Sequence, residues 1–125
     1  MSSKTIFFIS LILLLSLIIT DTFFKIYSVY YFYTNIDIFM HFIGGFSILT
    51  FSIAVLRNMN IDNKFNIFLF ILLFSIFWEY IEYIAGNNVL INKSFWIDTV
   101  VDLLMNALGG IMAYICFYKI CKTKK

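Results

Sequence analysis

The stretch FNIFLFILLFSIFWEYIEY, residues 65–83, decides how this chain is read. From Phe65 to Phe77 it is apolar apart from Asn66 and Ser75. The run is continuous rather than alternating, which marks a helix and not a strand. Its length, extended to residue 85, suits the roughly 30 Å hydrocarbon core of a bilayer. Glu79 and Glu82 then appear where the pattern otherwise says lipid. Three residues apart, they share one helix face.

The rest of the chain agrees with a membrane setting. Of its 125 residues 62% are hydrophobic and 21% aromatic, with no proline; soluble proteins hold about 45–50% apolar residues. Mean hydropathy is +0.95. A soluble domain of this size buries only about two-thirds of its surface and has no room to hide so much apolar area. Four segments are long enough to span: 5–24, 37–56, 65–85 and 96–118. None shows the period-two alternation of a membrane barrel. The expectation is an all-α membrane protein, one four-helix domain over residues 1–125. The first segment has a lysine and an apolar core like a signal peptide, but no small-residue cleavage site, and reads as a retained helix.

Charge sets the orientation. With both termini cytoplasmic, Lys4, Arg57, Lys64, Lys119, Lys122, Lys124 and Lys125 lie inside against Asp62 alone. Lys25 and Lys93 then lie outside with the other six acids. The positive-inside rule favours this arrangement in the plasma membrane. The basic tail KICKTKK (119–125) reads as a topology determinant against anionic headgroups, not as a nucleic-acid site. Cys116 and Cys121, five apart on one helix, read as packing residues.

The second and fourth segments begin alike. DIFMHFIGGF (37–46) aligns without gaps to DLLMNALGGI (102–111). On each helix the acid, the His or Asn, and the first glycine share a face. Glycines let helices approach closely in lipid. The expectation is a parallel repeat of two helical hairpins, related about an axis near the membrane normal.

Alternating helices bring the polar residues to one level. Asp37 and His41 open the second helix, Glu79 and Glu82 end the third, and Asp98, Asp102 and Asn106 descend the fourth. Asp21, at the end of the first, reads as a boundary residue. Charged side chains within the membrane cost up to about 2.5–3.5 kcal/mol each at mid-depth, so such a set calls for a function. It also repels itself unless protons or a cation neutralise it. Trp78, Tyr83 and Trp96, with the tyrosines of KIYSVYYFYTN (25–35), crowd the same rim and would line an entrance for a lipid headgroup or glycan. The 25–36 segment reads as a short interfacial helix.

Three function classes follow. In the first, Asp37, His41, Glu79, Glu82, Asp98 and Asp102 hold a divalent cation, with Glu79, Glu82, His41 and Asp102 carrying catalysis and Asn106, Trp78, Tyr83 and Trp96 binding substrate. Oxygen-rich ligation points to Mg²⁺, Mn²⁺ or Ca²⁺, and His41 admits Zn²⁺. The chemistry would be metal-assisted hydrolysis or transfer on a lipid-linked phosphate or another cell-envelope molecule, a spare glutamate acting as general base. In the second, the cluster couples proton or cation movement to transport, which an apolar inner half disfavours. In the third, it binds lipid, metal or a partner without turnover. Glu-x-x-His pairs of di-iron bundles are missing.

Three stretches also carry a family resemblance: D-x-x-x-H-F-x-x-G (37–45), W-E-x-x-E-Y (78–83) and D-T-x-x-D-x-x-x-N-x-x-G (98–109). The chain resembles the VanZ-like superfamily, nearest to its YjdF-like membrane proteins. The resemblance implies a small multi-helix membrane protein and marks Asp37, His41, Glu79, Glu82, Asp98, Asp102 and Asn106 as the family's polar positions. VanZ itself is associated with glycopeptide-antibiotic resistance at the cell surface. This chain departs from VanZ proper in having Glu82 in place of glutamine and no arginine before the last acidic pair.

Overall fold

With no proline to end them, the first two long helices stop where serine and asparagine turn the backbone. The protein is described by a computed structural model over residues 3–33, 35–85 and 95–118. Helix α1 (Ser3–Ile26) gives way at Ser28, which is left-handed at φ 54°, to the single turn α2 (Val29–Phe32). Helix α3 (Asn35–Asn58) ends at Asn60, φ 59°. There the Ile61 amide bonds back to the Leu56 carbonyl at 3.0 Å, a closure that needs a left-handed residue, which asparagine tolerates better than most. The Asn63 carboxamide accepts the Asn66 amide at 2.8 Å and starts α4 (Lys64–Ala85). Helix α5 (Phe95–Ala113) runs on into a π-helical turn, Tyr114–Tyr118. Each expected helix is found within two residues of its bounds, the interfacial helix has shrunk to one turn, and the described residues contain no strand.

Four helices are long and apolar enough to cross a membrane, so the chain is a multi-pass membrane protein. Helix α3 is the most enclosed of the four. Helix α1 packs on it, and α4 packs on α3 and α5. The outward faces of α1 and α4 present Phe8, Ile12, Ile19, Leu72, Leu73 and Ile76, the surface lipid requires.

The two copies of the repeated motif lie side by side on parallel helices. A side chain on Gly45 would overlap the Asn106 backbone, and one on Gly109 would overlap the Phe42 carbonyl. His41 touches Asn106, its counterpart in the repeat. The backbones therefore meet just below the polar level, which fixes how deep the charged residues sit.

At the opposite end Ile48, Leu49, Ile53, Leu56, Ile67, Ile71 and Ala113 form the apolar core, and Arg57 pairs with Asp62 at 3.1 Å. The expectation of a wholly apolar inner half needs correcting. Ser47, Thr50 and Ser52 are buried along α3, each bonding a carbonyl of its own helix at 2.7–2.8 Å. Hydroxyls closed onto their own backbone carry little polarity into the core. Cys116 is a half-buried free thiol. Lys93, Cys121 and the basic tail from Lys119 lie outside the described residues.

Candidate acidic and histidine site

His41, one turn into α3 and only 5% exposed, is the centre of the site. Asp37 stands one turn before it. Glu79 and Glu82 arrive from the last turns of α4, and Asp102 and Asn106 from α5. Three carboxylate oxygens surround the ring nitrogen Nε2: Asp102 Oδ2 at 3.6 Å, Asp37 Oδ1 at 3.7 Å and Glu82 Oε2 at 3.7 Å. Glu79 Oε1 lies 3.8 Å from Nδ1, and the Asn106 amide nitrogen approaches Nδ1 at 3.2 Å.

These carboxylate distances decide what the arrangement suits. They exceed the 2.7–3.2 Å or so of a direct N–H···O bond. Ligand atoms that share a cation at about 2.0–2.5 Å stand some 3–3.5 Å apart. The oxygens are thus spread about the imidazole more as ligands are than as hydrogen-bond acceptors. In two sets, Asp37–His41–Asp102 and His41–Glu79–Glu82, the donor atoms all lie within 4.8 Å of one another.

A second observation points the same way. Glu79 Oε1 and Asp102 Oδ1 are buried without a hydrogen-bond partner, in residues only 7% and 3% exposed. A buried, unpaired carboxylate oxygen is among the costlier features a fold can carry. Both lie within the cluster around His41, where a cation would satisfy them. The residues present fit a divalent cation of mixed oxygen and nitrogen ligation.

Asn106 sets the histidine. With its NH₂ toward Nδ1, as found, the proton belongs on Nε2. With the near-isosteric amide turned over, its oxygen accepts Nδ1–H and leaves the Nε2 lone pair facing the three carboxylates. The second form is how metal-bound imidazoles are held.

A layer nearer the helix ends ties α1 to the site. Lys25 bonds Asp21 at 2.7 Å, reaches Glu82 at 3.5 Å and lies 5.6 Å from the centre of the Trp78 ring. The Tyr30 hydroxyl donates to Asp21 at 2.8 Å. Burial, and then that bond to a carboxylate, raise the Tyr30 phenol well above its usual range, which keeps it a neutral donor. The sequence reading left Asp21 as a boundary residue, Lys25 as a loose outer charge and Tyr30 as one of many rim tyrosines. The available signal was Asp21 and Lys25 at i, i+4, one face of one helix.

Below this layer a cavity of about 350 Å³ runs between α1, α3 and α4. Asp21, Tyr30, Asp37, His41, Glu82 and Asn106 line its polar end, and Leu14, Ile48, Phe51 and Phe70 its apolar length.

The structure therefore brings together Asp37, His41, Glu79, Glu82, Asp102 and Asn106. Asp98, half-buried one turn before Asp102, is outside both donor sets. Trp78 lines the cavity. Tyr83 and Trp96 do not; they are 62% and 74% exposed, as rim aromatics at a membrane interface are. Of the rim tyrosines only Tyr30 turns inward.

Residues 1–123 match the family model described as "Predicted membrane protein (DUF2238)", and the chain belongs to that family. Among curated proteins and among solved structures, none matches it.

Proposed function

We propose that this chain binds a divalent cation at the His41 site and there holds, or acts on, a lipid-linked or cell-envelope molecule carrying a phosphate. The observation that carries the reading is the pair of unpartnered, buried carboxylate oxygens, Glu79 Oε1 and Asp102 Oδ1, beside an imidazole already ringed by Asp37 and Glu82. A bound cation would polarise a phosphoryl oxygen and lower the pKa of a bound water. In this reading Asp37, Asp102 and the two glutamates supply the oxygens that hold the cation beside His41, and a glutamate oxygen left off the metal takes the proton from an attacking water. Lys25, at the mouth of the cavity, meets the anionic group.

The apolar core formed by Ile48, Leu49, Ile53, Ile67 and Ile71 favours a site open at one end over a transport path. The excess of basic residues at the other end supports an outward-facing site in the plasma membrane. The order of the three polar motifs supports the finer assignment to the VanZ-like superfamily.

The test is titration of the detergent-purified protein with Mn²⁺, followed by the loss of free-ion EPR signal. One tight site is expected in the wild type, lost in Asp102→Asn. Equal binding by both would overturn the reading.

A further inference from the structure

The cavity beside the site is not needed for holding a cation, and its shape has to be explained separately. Its polar end is small and its walls are otherwise hydrocarbon. Measured along α3 from Asp37 to Phe51 at about 1.5 Å per residue, it is on the order of 20 Å long, more than half a bilayer core. Leu14 and Ile48 form its inner walls. Leu11, Leu15 and Ile18 of α1 and Phe74 of α4 line it too and are 37–51% exposed, as residues along an open edge are. The space is therefore a slot that opens sideways. Its two edges, α1 and α4, each pack mainly on α3 and meet at the polar end, where Lys25 reaches Glu82 and Trp78.

We propose that this slot takes one hydrocarbon chain of a membrane lipid, entering laterally from the bilayer, with the phosphate headgroup between Lys25 and the His41 site. The proposal deepens the function proposed above and rests on it for the headgroup, though not for the chain.

The occupant follows from the surroundings. An apolar cavity of this size does not hold water stably. At this depth the bilayer offers hydrocarbon in quantity, and 350 Å³ lies at the lower end of ligand-pocket volumes. The slot lies between two helices, so a single chain fits its plan better than a paired one. Lys25 is the one described cation at the polar end, bonded to Asp21 and Glu82 and stacked near Trp78. A phosphate would exchange the longer of those bonds, 3.5 Å to Glu82, for a shorter one. Ser75, on the α4 wall, is buried with its Oγ unpartnered.

The experiment uses a long-chain alkyl phosphate with a diazirine near the chain terminus, photolysed with the whole protein in nanodiscs and mapped by peptide mass spectrometry. Labelling is expected on the slot residues around Leu11–Leu15 and Phe70–Phe74. Filling the slot by Ser75→Phe from α4, or separately by Leu14→Trp from α1, should cut that labelling by about tenfold, the scale of a steric clash in a packed pocket. Mn²⁺ binding, read in parallel, should be unchanged in both variants and reports that they fold.

Labelling spread evenly over the outward faces, or undiminished in a variant that still binds Mn²⁺, would overturn the slot and leave the cation site standing. Slot labelling that falls in the variants while the wild type binds no Mn²⁺, with thermal unfolding of the variants matching wild type, would uphold the chain-binding slot and overturn the cation reading. The two proposals thus fail separately.

Discussion

At the residue scale, His41 is held by a neighbour that is itself a motif position. Asn106 bonds Nδ1 without standing among the candidate ligands, so its loss should loosen the imidazole while leaving every carboxylate in place. Asn106→Leu is expected to weaken Mn²⁺ binding by about 10–100-fold, the usual cost of losing such a partner. His41→Gln should cost more. Equal affinities for Asn106→Leu and wild type would show that the amide does not orient the ring. Tyr30, on α2 and outside the spanning helices, makes a separate prediction. A phenol whose pKa is raised is favoured in its neutral form. Its bond to Asp21 therefore stabilises the fold fully below about pH 10, the free tyrosine value, and is lost only as pH rises through its higher folded value. The difference between the ultraviolet titrations of wild type and Tyr30→Phe should show no ionisation step up to about pH 10. A step there would mean that Tyr30 is exposed.

The polar residues of the site were legible one by one, because carboxylates inside apolar runs are rare and demand partners. What stayed hidden was the second layer. An Asp and a Lys at i, i+4 near a helix end form an ordinary surface pair in countless helices. Only the approach of α4 makes Asp21, Lys25 and Tyr30 part of a site. Tyr83 and Trp96 have the composition of a binding rim and stand exposed outside the cavity.

At the scale of the element, the α3–α5 seam carries the architecture. Helix α3 meets α5 at Gly45 and Gly109 so closely that a methyl group at either would strike backbone atoms of the opposing helix. At Gly110 the obstacle is the flexible end of the Ile71 side chain. At Gly44 a methyl group would meet Asn106 Oδ1 at 3.4 Å and Leu17 at 3.7 Å, close to ordinary contact. The four alanine variants should therefore rank. Gly45→Ala and Gly109→Ala are expected to destabilise by about 3 kcal/mol or more, the upper range for overpacking, with Gly110→Ala milder and Gly44→Ala near neutral. Thermal unfolding in one detergent measures the series. Equal losses at Gly44 and Gly45 would contradict the seam.

The repeat was readable because Asp, His or Asn, and Gly-Gly recur at identical offsets, and the helix bounds were readable because apolar runs end abruptly. The short α2 was legible only as an interfacial stretch. Its single turn depends on the left-handed backbone at Ser28, which serine adopts too seldom for sequence to announce it.

At the scale of the whole molecule, four helices of similar hydropathy come together with one of them central. Helix α3 is no more apolar than its neighbours, yet it is the one they enclose. Sequence could not assign that place, since in lipid a buried leucine and a lipid-facing leucine look alike. The slot was unreadable for the same reason. Leu11, Leu15 and Phe74 resemble any bilayer-facing residues until α1 and α4 are seen packing mainly on α3. The resulting molecule is polarised, with an apolar core at one end and an acidic and histidine site at the other, joined to a hydrocarbon-lined cavity. That layout suits a protein that reads the headgroup of a lipid while its chain stays in the membrane.

The most direct test of the cation site is the metal content of the protein purified from membranes without added metal, by elemental mass spectrometry, beside Asp102→Asn. Near-stoichiometric divalent metal is expected in the wild type, and its loss in the variant. A folded wild-type protein with no divalent metal, and none taken up on dialysis against Mn²⁺ or Zn²⁺, would contradict that expectation.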